Sequence, residues 1–183
     1  MMMKTLVAAL IAAGTLSAHA ATVSLSGTAA ASVGQTFSLD VLLQQPFDGE
    51  RAGDELLAFG MDLSFDGSLL KLLGVSLAPV WNDDSAFTGV LLSGSAFPGV
   101  ADEGQGALTL ATLSFQVLGA GSTSIALASD AAGNFNHGLV YLMAPTLDVQ
   151  ASHALALSVP EPGSYAMMLA GLGLLSLAAR LRG

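Results

Sequence analysis

The residues of this chain that could carry chemistry are almost all carboxylates and amides. Paired acids hydrolyse glycosidic bonds and oxygen ligands bind calcium, so clustered acidic side chains raise both possibilities. Four such groups stand close in sequence: Asp83 with Asp84, Asp102 with Glu103, Asp62 with Asp66, and Asp130 with Asn134 and Asn136. None has the Asp-x-Asp-x-Asp-Gly spacing of a calcium loop. We therefore expect no cofactor, with calcium left open at the loops.

Histidine and cysteine add little further chemistry. His137 lies in a loop of glycine and asparagine with no ligand beside it in sequence. His153 alternates in phase with apolar residues, which predicts a structural side chain near the end of a strand. Cysteine is absent, and no zinc spacing, nucleophile elbow or phosphate-binding loop occurs. We predict no enzyme, no catalytic residue and no metal site.

Two aromatic residues are candidates for stacking on sugar rings. Trp81 lies in the loop that begins at Pro79, and Tyr141 lies in the short apolar segment from Leu139 to Leu142. An aromatic ring that keeps a polar atom suits a surface that is partly wet. A single loop tryptophan more often belongs to a satellite core, so both interpretations stay open at this point.

Alternation of apolar and polar residues places these side chains on strands. The clearest run sets Leu57, Phe59, Met61, Leu63 and Phe65 on one face, with Asp62 and Asp66 on the solvated face. Leu108 and Leu110 stand out of phase with Ala111 and Leu113, which predicts burial on both faces or a β-bulge. Segment 69–77 is a short helical turn or a strand, 94–106 is expected as a loop, and 146–159 as the last strand.

About eight strands at close spacing, with glycine-rich turns and no long amphipathic helix, predict an all-β fold: an antiparallel β-sandwich. No repeat of fixed period is visible, which excludes a solenoid or a propeller. We expect this domain to cover residues 21–158.

The amino-terminal segment 1–20 has the pattern of a secretory signal peptide. Lys4 precedes an apolar stretch from Leu6 to Leu16, and small residues follow. The predicted cleavage site comprises Ala18, Ala20 and Ala21. A permanent amino-terminal anchor fits less well because the apolar stretch is short. The domain is therefore expected outside the inner membrane, after export by the Sec machinery.

The carboxy-terminal segment 159–183 has three parts. Pro160 and Pro162 enclose Glu161 and keep the chain extended. An uncharged apolar run from Tyr165 to Ala179 follows, and Arg180 and Arg182 close it, as positive charge stops a membrane helix at its cytoplasmic face. Spanning a bilayer takes about 20 residues, so this predicted single transmembrane helix is short.

A Pro-Glu-Pro motif, a short apolar helix and a terminal arginine cluster resemble the PEP-CTERM sorting signal of Gram-negative bacteria, whose tail is also catalogued as an ice-binding protein C-terminal domain. The resemblance implies processing by exosortase, a multi-spanning membrane protease or transpeptidase. It implies a transient stay in the inner membrane, then the cell surface or extracellular matrix, in association with exopolysaccharide. It implies no ice binding.

The middle of the chain is also similar to cohesin-like and carbohydrate-binding-module-like sandwiches. The similarity lies in segments 32–41, 57–75 and 106–127, the last with the run Ala111-Thr112-Leu113-Ser114-Phe115. These motifs are structural. They imply a cohesin-like sandwich, and dockerin binding is not carried over because the binding residues have no match.

The net charge of the region between the two end segments limits the classes of partner that it can bind. Between the two ends the chain has two basic residues, Arg51 and Lys71, against thirteen acidic ones, a net charge of −11. An acidic surface repels nucleic acid and anionic lipid. The first hypothesis is a non-catalytic surface or matrix protein for adhesion or exopolysaccharide association. The alternatives are a secreted carbohydrate-active hydrolase with the same tail, and a periplasmic binding domain that keeps its membrane anchor.

Overall fold

Strands form nearly all of the regular structure. The computed structural model describes residues 21–160, together with Leu172 and Arg180. Among these residues are eleven strands and one four-residue helix: β1 Thr22–Gly27, β2 Ala30–Ser32, β3 Thr36–Gln44, β4 Glu55–Ser64, β5 Leu70–Leu77, β6 Asn82–Asp83, α1 Ser85–Thr88, β7 Leu92–Ala101, β8 Ala107–Val117, β9 Gly121–Ala128, β10 Gly138–Tyr141 and β11 Gln150–Ser158. The expected all-β fold is confirmed.

The strands make two sheets. The smaller sheet has the order β1-β3-β8-β5 and is antiparallel throughout. The larger sheet has the order β2-β11-β9-β4-β7-β6, and β10 also pairs with β4. Its one parallel pair among these strands joins β2 to β11. The two sheets stack as a sandwich because each strand presents one apolar face to the interior.

Aromatic and branched side chains fill the interior. Phe115 on β8 stacks on Phe37 at 5.6 Å between ring centroids and meets Phe65 edge to face at 5.3 Å. At the other side of the core, Phe59 on β4 meets Trp81 edge to face at 5.1 Å. Side chains of both sheets are thereby excluded from water, which is the main term that stabilises the sandwich.

Strand β4 departs from the predicted alternation at its start. A bulge between Leu56 and Ala58 shifts the pairing with β7. Leu56 is therefore the fully buried side chain, and Leu57 is only half buried. The prediction that Leu57 shares the inward face with Phe59 and Met61 is wrong, because a bulge moves every preceding residue to the other face.

The bounds of β5, β7 and β8 are set by pairing between strands, which the sequence pattern of a single strand does not show. Segment 69–77 is mostly strand β5, and the predicted irregularity in β8 is a real bulge that buries both Leu110 and Ala111. The expectation of a loop over 94–106 is wrong for its first half, since β7 runs to Ala101 on the edge of β4. Glycine and proline in that stretch hide the strand from a period-2 pattern.

The sandwich has two distinct ends. At one end, which we call the tail end, β11 finishes at Ser158 and its carbonyl accepts a hydrogen bond from the amide of Val33 at 2.8 Å. Strand β11 pairs with β9, and β9 pairs with β4. When this register is continued along the sheet, Leu157 of β11 lies level with a position twelve residues from Leu57 of β4. That separation is about 40 Å at roughly 3.3 Å per residue. We call the opposite end the distal end.

Loops with acidic side chains make up the distal end. Segments 45–54 and 102–106 meet there, where the Gln45 amide donates to the Gly106 carbonyl at 2.8 Å. The loop after β10 joins them through the Leu142 amide, which donates to the Glu55 carbonyl at 2.9 Å. Within the part of the chain that the structure describes, no helix is both long and apolar enough to cross a membrane.

Candidate functional site

An apolar pocket lies on the outer face of the larger sheet, towards the distal end. It arises where β7 leaves the regular ladder. Ser95 pairs with Ala58 and Val100 pairs with Leu56, so the four residues 96–99 of β7 stand opposite a single residue, Leu57. The Glu55 side chain holds this excursion, because its Oε2 accepts a hydrogen bond from the Gly99 amide at 3.1 Å.

Phe97, at the tip of the segment 96–99 that leaves the ladder, is exposed to solvent. Phe97 is 97 % exposed, and Pro98 beside it is exposed as well. Burying a side chain of this size contributes about 1.5–3 kcal/mol, and this one contributes almost none of that to folding. An apolar ring presented in this way is free to be buried against a partner.

The pocket itself has a volume of about 520 Å³. Small residues, Ala58 and Ser95, line its floor on the outward face of β4 and β7. Larger apolar side chains form its sides. We call the residues that line this space the Phe97 pocket: Glu55, Leu57, Ala58, Ser95, Ala96, Phe97, Pro98, Gly99 and Leu142. Leu142 is 55 % exposed. The chain thus presents a contiguous apolar surface with few polar groups.

A loop closes the sheet face beside this pocket. The carbonyl oxygen of Asn136 lies only 1.8 Å from the position that a Cβ of Gly60 would take, so segment 130–137 rests directly on β4. Only a glycine permits that approach. His137 is 6 % exposed under the loop, and its Nδ1 accepts a hydrogen bond from the Asp130 amide at 3.3 Å. Phe135 on the same loop is 86 % exposed.

The four acidic groups proposed from sequence are mainly turn-capping groups. Asp66 accepts from the Ser68 hydroxyl and amide, Asp83 from the Ser85 amide and Asp102 from the Gly104 amide. The hydrogen bonds from Ser68 and Ser85 lower the pKa of Asp66 and of Asp83 respectively. A carboxylate used in this way has fewer free oxygens for a metal or for hydrolysis.

The loop around Asp130 shows the same use of its oxygens. Asp130 Oδ1 accepts from the Gly133 amide at 3.0 Å, and Asn134 Oδ1 accepts from the Asn136 amide at 3.0 Å. Asp62 lies 3.6 Å from His137 Nε2 and is otherwise solvated. Among the described residues, no group of three or more His, Cys, Asp or Glu side chains could hold a metal ion.

The two candidates for sugar stacking are not at the surface. Trp81 is 6 % exposed, and its Nε1 donates to the Thr109 carbonyl at 3.2 Å. Tyr141 is also buried, and its hydroxyl donates to the Pro46 carbonyl at 2.6 Å. Burial, with the nearby charges of Glu50 and Asp54, raises the pKa of Tyr141. Of the two interpretations left open by the sequence, the structure shows the core position for both rings and not an exposed stacking surface.

The exposed aromatic residues lie elsewhere and were missed. Phe87 on α1 is 93 % exposed, and Phe97 and Phe135 are similarly exposed. The one signal for Phe97 in the sequence is a Phe-Pro pair set among small residues, Ser-Ala-Phe-Pro-Gly, which marks an interruption rather than a regular strand. His153 is structural as predicted: its Nε2 lies 2.8 Å from the Thr28 carbonyl oxygen.

The residues proposed for sorting lie at the margins of the structure. Pro160 is exposed, two residues after the last strand, and Arg180 is exposed. Ala21, the first residue after the predicted signal cleavage, is buried against the core. The remaining predicted residues lie outside the described residues: Ala18, Ala20, Glu161, Pro162, Arg182 and the predicted membrane run 165–179, of which the structure describes Leu172 alone.

Comparison with protein families identifies the tail. A model described as a PEP-CTERM protein-sorting motif matches residues 158–182. The chain carries a PEP-CTERM sorting motif. The match begins at Ser158, the residue at which β11 ends. The motif marks an exported protein that is sorted to the cell surface of a Gram-negative bacterium. No curated protein is similar in sequence to the chain.

Solved structures identify the fold of the domain that precedes the PEP-CTERM motif. A cohesin module from a family 33 glycoside hydrolase of Clostridium perfringens covers 76 % of this chain and 98 % of its own, with a TM-score of 0.57 and 10 % identity. A type II cohesin domain from the cellulosome of Acetivibrio cellulolyticus covers 74 % and 94 %, with a TM-score of 0.44 and 10 % identity. The first of these two similarities, together with the two stacked sheets, shows that the fold is a cohesin-like β-sandwich.

Proposed function

We propose that this protein is an exported adhesion module: a non-catalytic β-sandwich that exosortase processes at its tail and that works at the cell surface or in the extracellular matrix. The observation that carries the proposal is the position of the sorting motif. All eleven described strands end by Ser158, where the motif begins. Cleavage within 160–163 would therefore remove the tail and leave the sandwich whole.

The surface of the domain supports binding rather than catalysis. Its most exposed large apolar side chains, among the described residues, are phenylalanine rings, and Phe97 lines a pocket of about 520 Å³. The acidic side chains are mainly engaged in turns. An exposed apolar surface is costly for solubility, which is a reason to expect that a partner covers it.

The test is the intact mass of the protein recovered from its native host, with its terminal peptides sequenced. We expect a chain that begins at Ala21 and ends within 160–163. In a strain without exosortase, or in a variant with Pro160→Ala and Pro162→Ala, the chain should keep Gly183. A wild-type chain that still ends at Gly183 would contradict processing and favour a permanently anchored periplasmic domain.

Exopolysaccharide association is a second candidate, and the exposed rings of Phe87 and Phe135 favour it. Aromatic faces outside the core are the groups on which sugar rings stack. We expect the processed protein to sediment with exopolysaccharide from its host, and a variant with Phe87→Ala and Phe135→Ala to remain in solution. Sedimentation that is unchanged in this variant would exclude these rings. Release of soluble sugar by the protein would instead favour the hydrolase alternative.

A further inference from the structure

We propose that the Phe97 pocket binds a segment of a protein partner in which a bulky apolar side chain is flanked by lysine or arginine. The inference rests on the proposed function only in requiring a binding module, not in requiring processing of the tail. Two independent observations carry it, the apolar lining of the pocket and the charge of the distal end around it.

The lining selects an apolar side chain. Leu57, Pro98 and Leu142 surround the space beside Phe97, and Ala58 leaves room at its floor. The ionisable side chain in this lining is that of Glu55, whose Oε2 already accepts from the Gly99 amide. A sugar placed here would lose the hydration of its hydroxyl groups with few partners to replace it. A leucine or an aromatic side chain has no hydroxyl hydration to lose, and it gains contact with the exposed ring of Phe97.

The surroundings select positive charge. Thirteen acidic residues lie between the chain's two end segments, and six of them fall in the distal segments that border the pocket: Asp48, Glu50, Asp54, Glu55, Asp102 and Glu103. Arg51 is the one basic residue in these segments. The Met143 amide donates to Asp54 Oδ1 at 2.9 Å, and Glu55 pairs with Ala101, so both acidic segments adjoin the pocket. Opposite charge at a rim speeds association and selects the partner.

The same charge disfavours the other occupants of an apolar surface. A second copy placed face to face would bring two acidic distal ends together, and an anionic lipid surface would be repelled. The chain's own tail begins at the tail end, about 40 Å from the pocket at roughly 3.3 Å per residue, and the crosslinking experiment distinguishes it from a separate protein. A cationic segment of another protein is the occupant that satisfies both the lining and the charge.

Binding of synthetic peptides to the protein recovered from its host tests the chemistry. The probes share a glycine-serine background and carry a central tryptophan between lysines, the same tryptophan between glutamates, or glycine between lysines. We expect the lysine–tryptophan peptide to bind at least about tenfold more tightly than either other peptide, and to weaken as salt is raised. Equal binding of the three peptides, or no binding, would overturn the proposal.

A matched pair of variants locates the site. Phe97→Ala should weaken the lysine–tryptophan peptide by about tenfold or more, as expected for a central anchor. Phe87→Ala removes an equally exposed ring from α1, outside the pocket, and should leave binding unchanged. Because both rings lie almost wholly in water, both variants should unfold at the wild-type temperature. An equal loss in the two variants would overturn the assignment.

Crosslinking in the native host tests the partner. A photoreactive benzoylphenylalanine replaces Phe97 in the full chain, and in a control strain it replaces Phe87. We expect position 97, and not position 87, to crosslink a protein segment that contains an apolar residue beside lysine or arginine. Crosslinks to polysaccharide, to a second copy or to the chain's own tail, or none at all, would overturn the proposal.

The two proposals fail separately. An unprocessed chain that still prefers the lysine–tryptophan peptide contradicts sorting and supports the pocket. A correctly processed chain that binds all three peptides alike supports sorting and overturns the pocket.

Discussion

Replacing Gly60 by alanine tests how the loop beside the Phe97 pocket is held. A Cβ at this position would lie 1.8 Å from the Asn136 carbonyl oxygen, so the loop must retreat by about 1.6 Å to reach an ordinary contact of 3.4 Å. The obstacle is backbone, which cannot rotate away. Overpacking costs about 1–3 kcal/mol and each hydrogen bond lost in the loop about 1 kcal/mol more. We expect a loss of roughly 3 kcal/mol in the free energy of unfolding.

Gly67→Ala is the matched control, since nothing lies within 4 Å of its Cβ position. This change should be neutral or stabilise the protein by up to about 1 kcal/mol. Trp81, the single tryptophan, reports unfolding in urea because it packs against Phe59 in the core. At about 3–4 °C per kcal/mol, Gly60→Ala should lower the melting temperature by roughly 10 °C. If both variants unfold at the same urea concentration, segment 130–137 does not rest on β4.

Two further changes address the buried polar groups of the distal end. Because the pKa of Tyr141 is raised, the folded chain keeps its proton above pH 10 while the unfolded chain loses it, so stability should fall as pH rises beyond about 10. Tyr141→Phe removes the hydrogen bond to Pro46 and should lower the free energy of unfolding by about 1 kcal/mol at pH 7. In urea titrations at increasing pH, its stability should fall less steeply than that of the wild type. Parallel pH profiles of the two proteins would contradict the raised pKa of Tyr141. Asp54→Ala leaves the amides of Glu55 and Met143, which donate to Asp54 Oδ1, without an acceptor and should lower the free energy of unfolding by about 2–4 kcal/mol. Asp54→Asn keeps an acceptor oxygen and should lower it less. Equal urea midpoints for the two variants would refute this role of Asp54.

Much of the sandwich follows from local pattern. Alternation in β3 and β4 marks inward faces correctly wherever the ladder is regular, as at Phe59 and Met61. The out-of-phase leucines of β8 also predict its bulge correctly. These features are readable because burial on one face forces a period of two residues.

The pocket was not predictable in the same way. Its geometry depends on four residues of β7 standing opposite one residue of β4, which is a relation between strands distant in sequence. Trp81 shows the same dependence, since its loop position leaves exposure and burial open, and contacts with Phe59 and Thr109, far along the chain, decide for burial. Local sequence carries the period of a strand but not the register between strands.

The arrangement of the two ends makes binding and sorting separable. The sorting motif begins where β11 ends, whereas the Phe97 pocket is built from β4, β7 and the loop after β10 at the other end of the sheet. No hydrogen bond of the pocket reaches beyond Ser158 among the described residues. Removing the tail should therefore leave the affinity of the pocket unchanged, and any regulation by processing would act through where the module is placed. On the proposed function the tail is held in a membrane before it is removed, so the tail end would lie nearest that membrane and the acidic distal end would face away from it. The Phe97 pocket would then be open to its proposed partner both before and after the tail is removed.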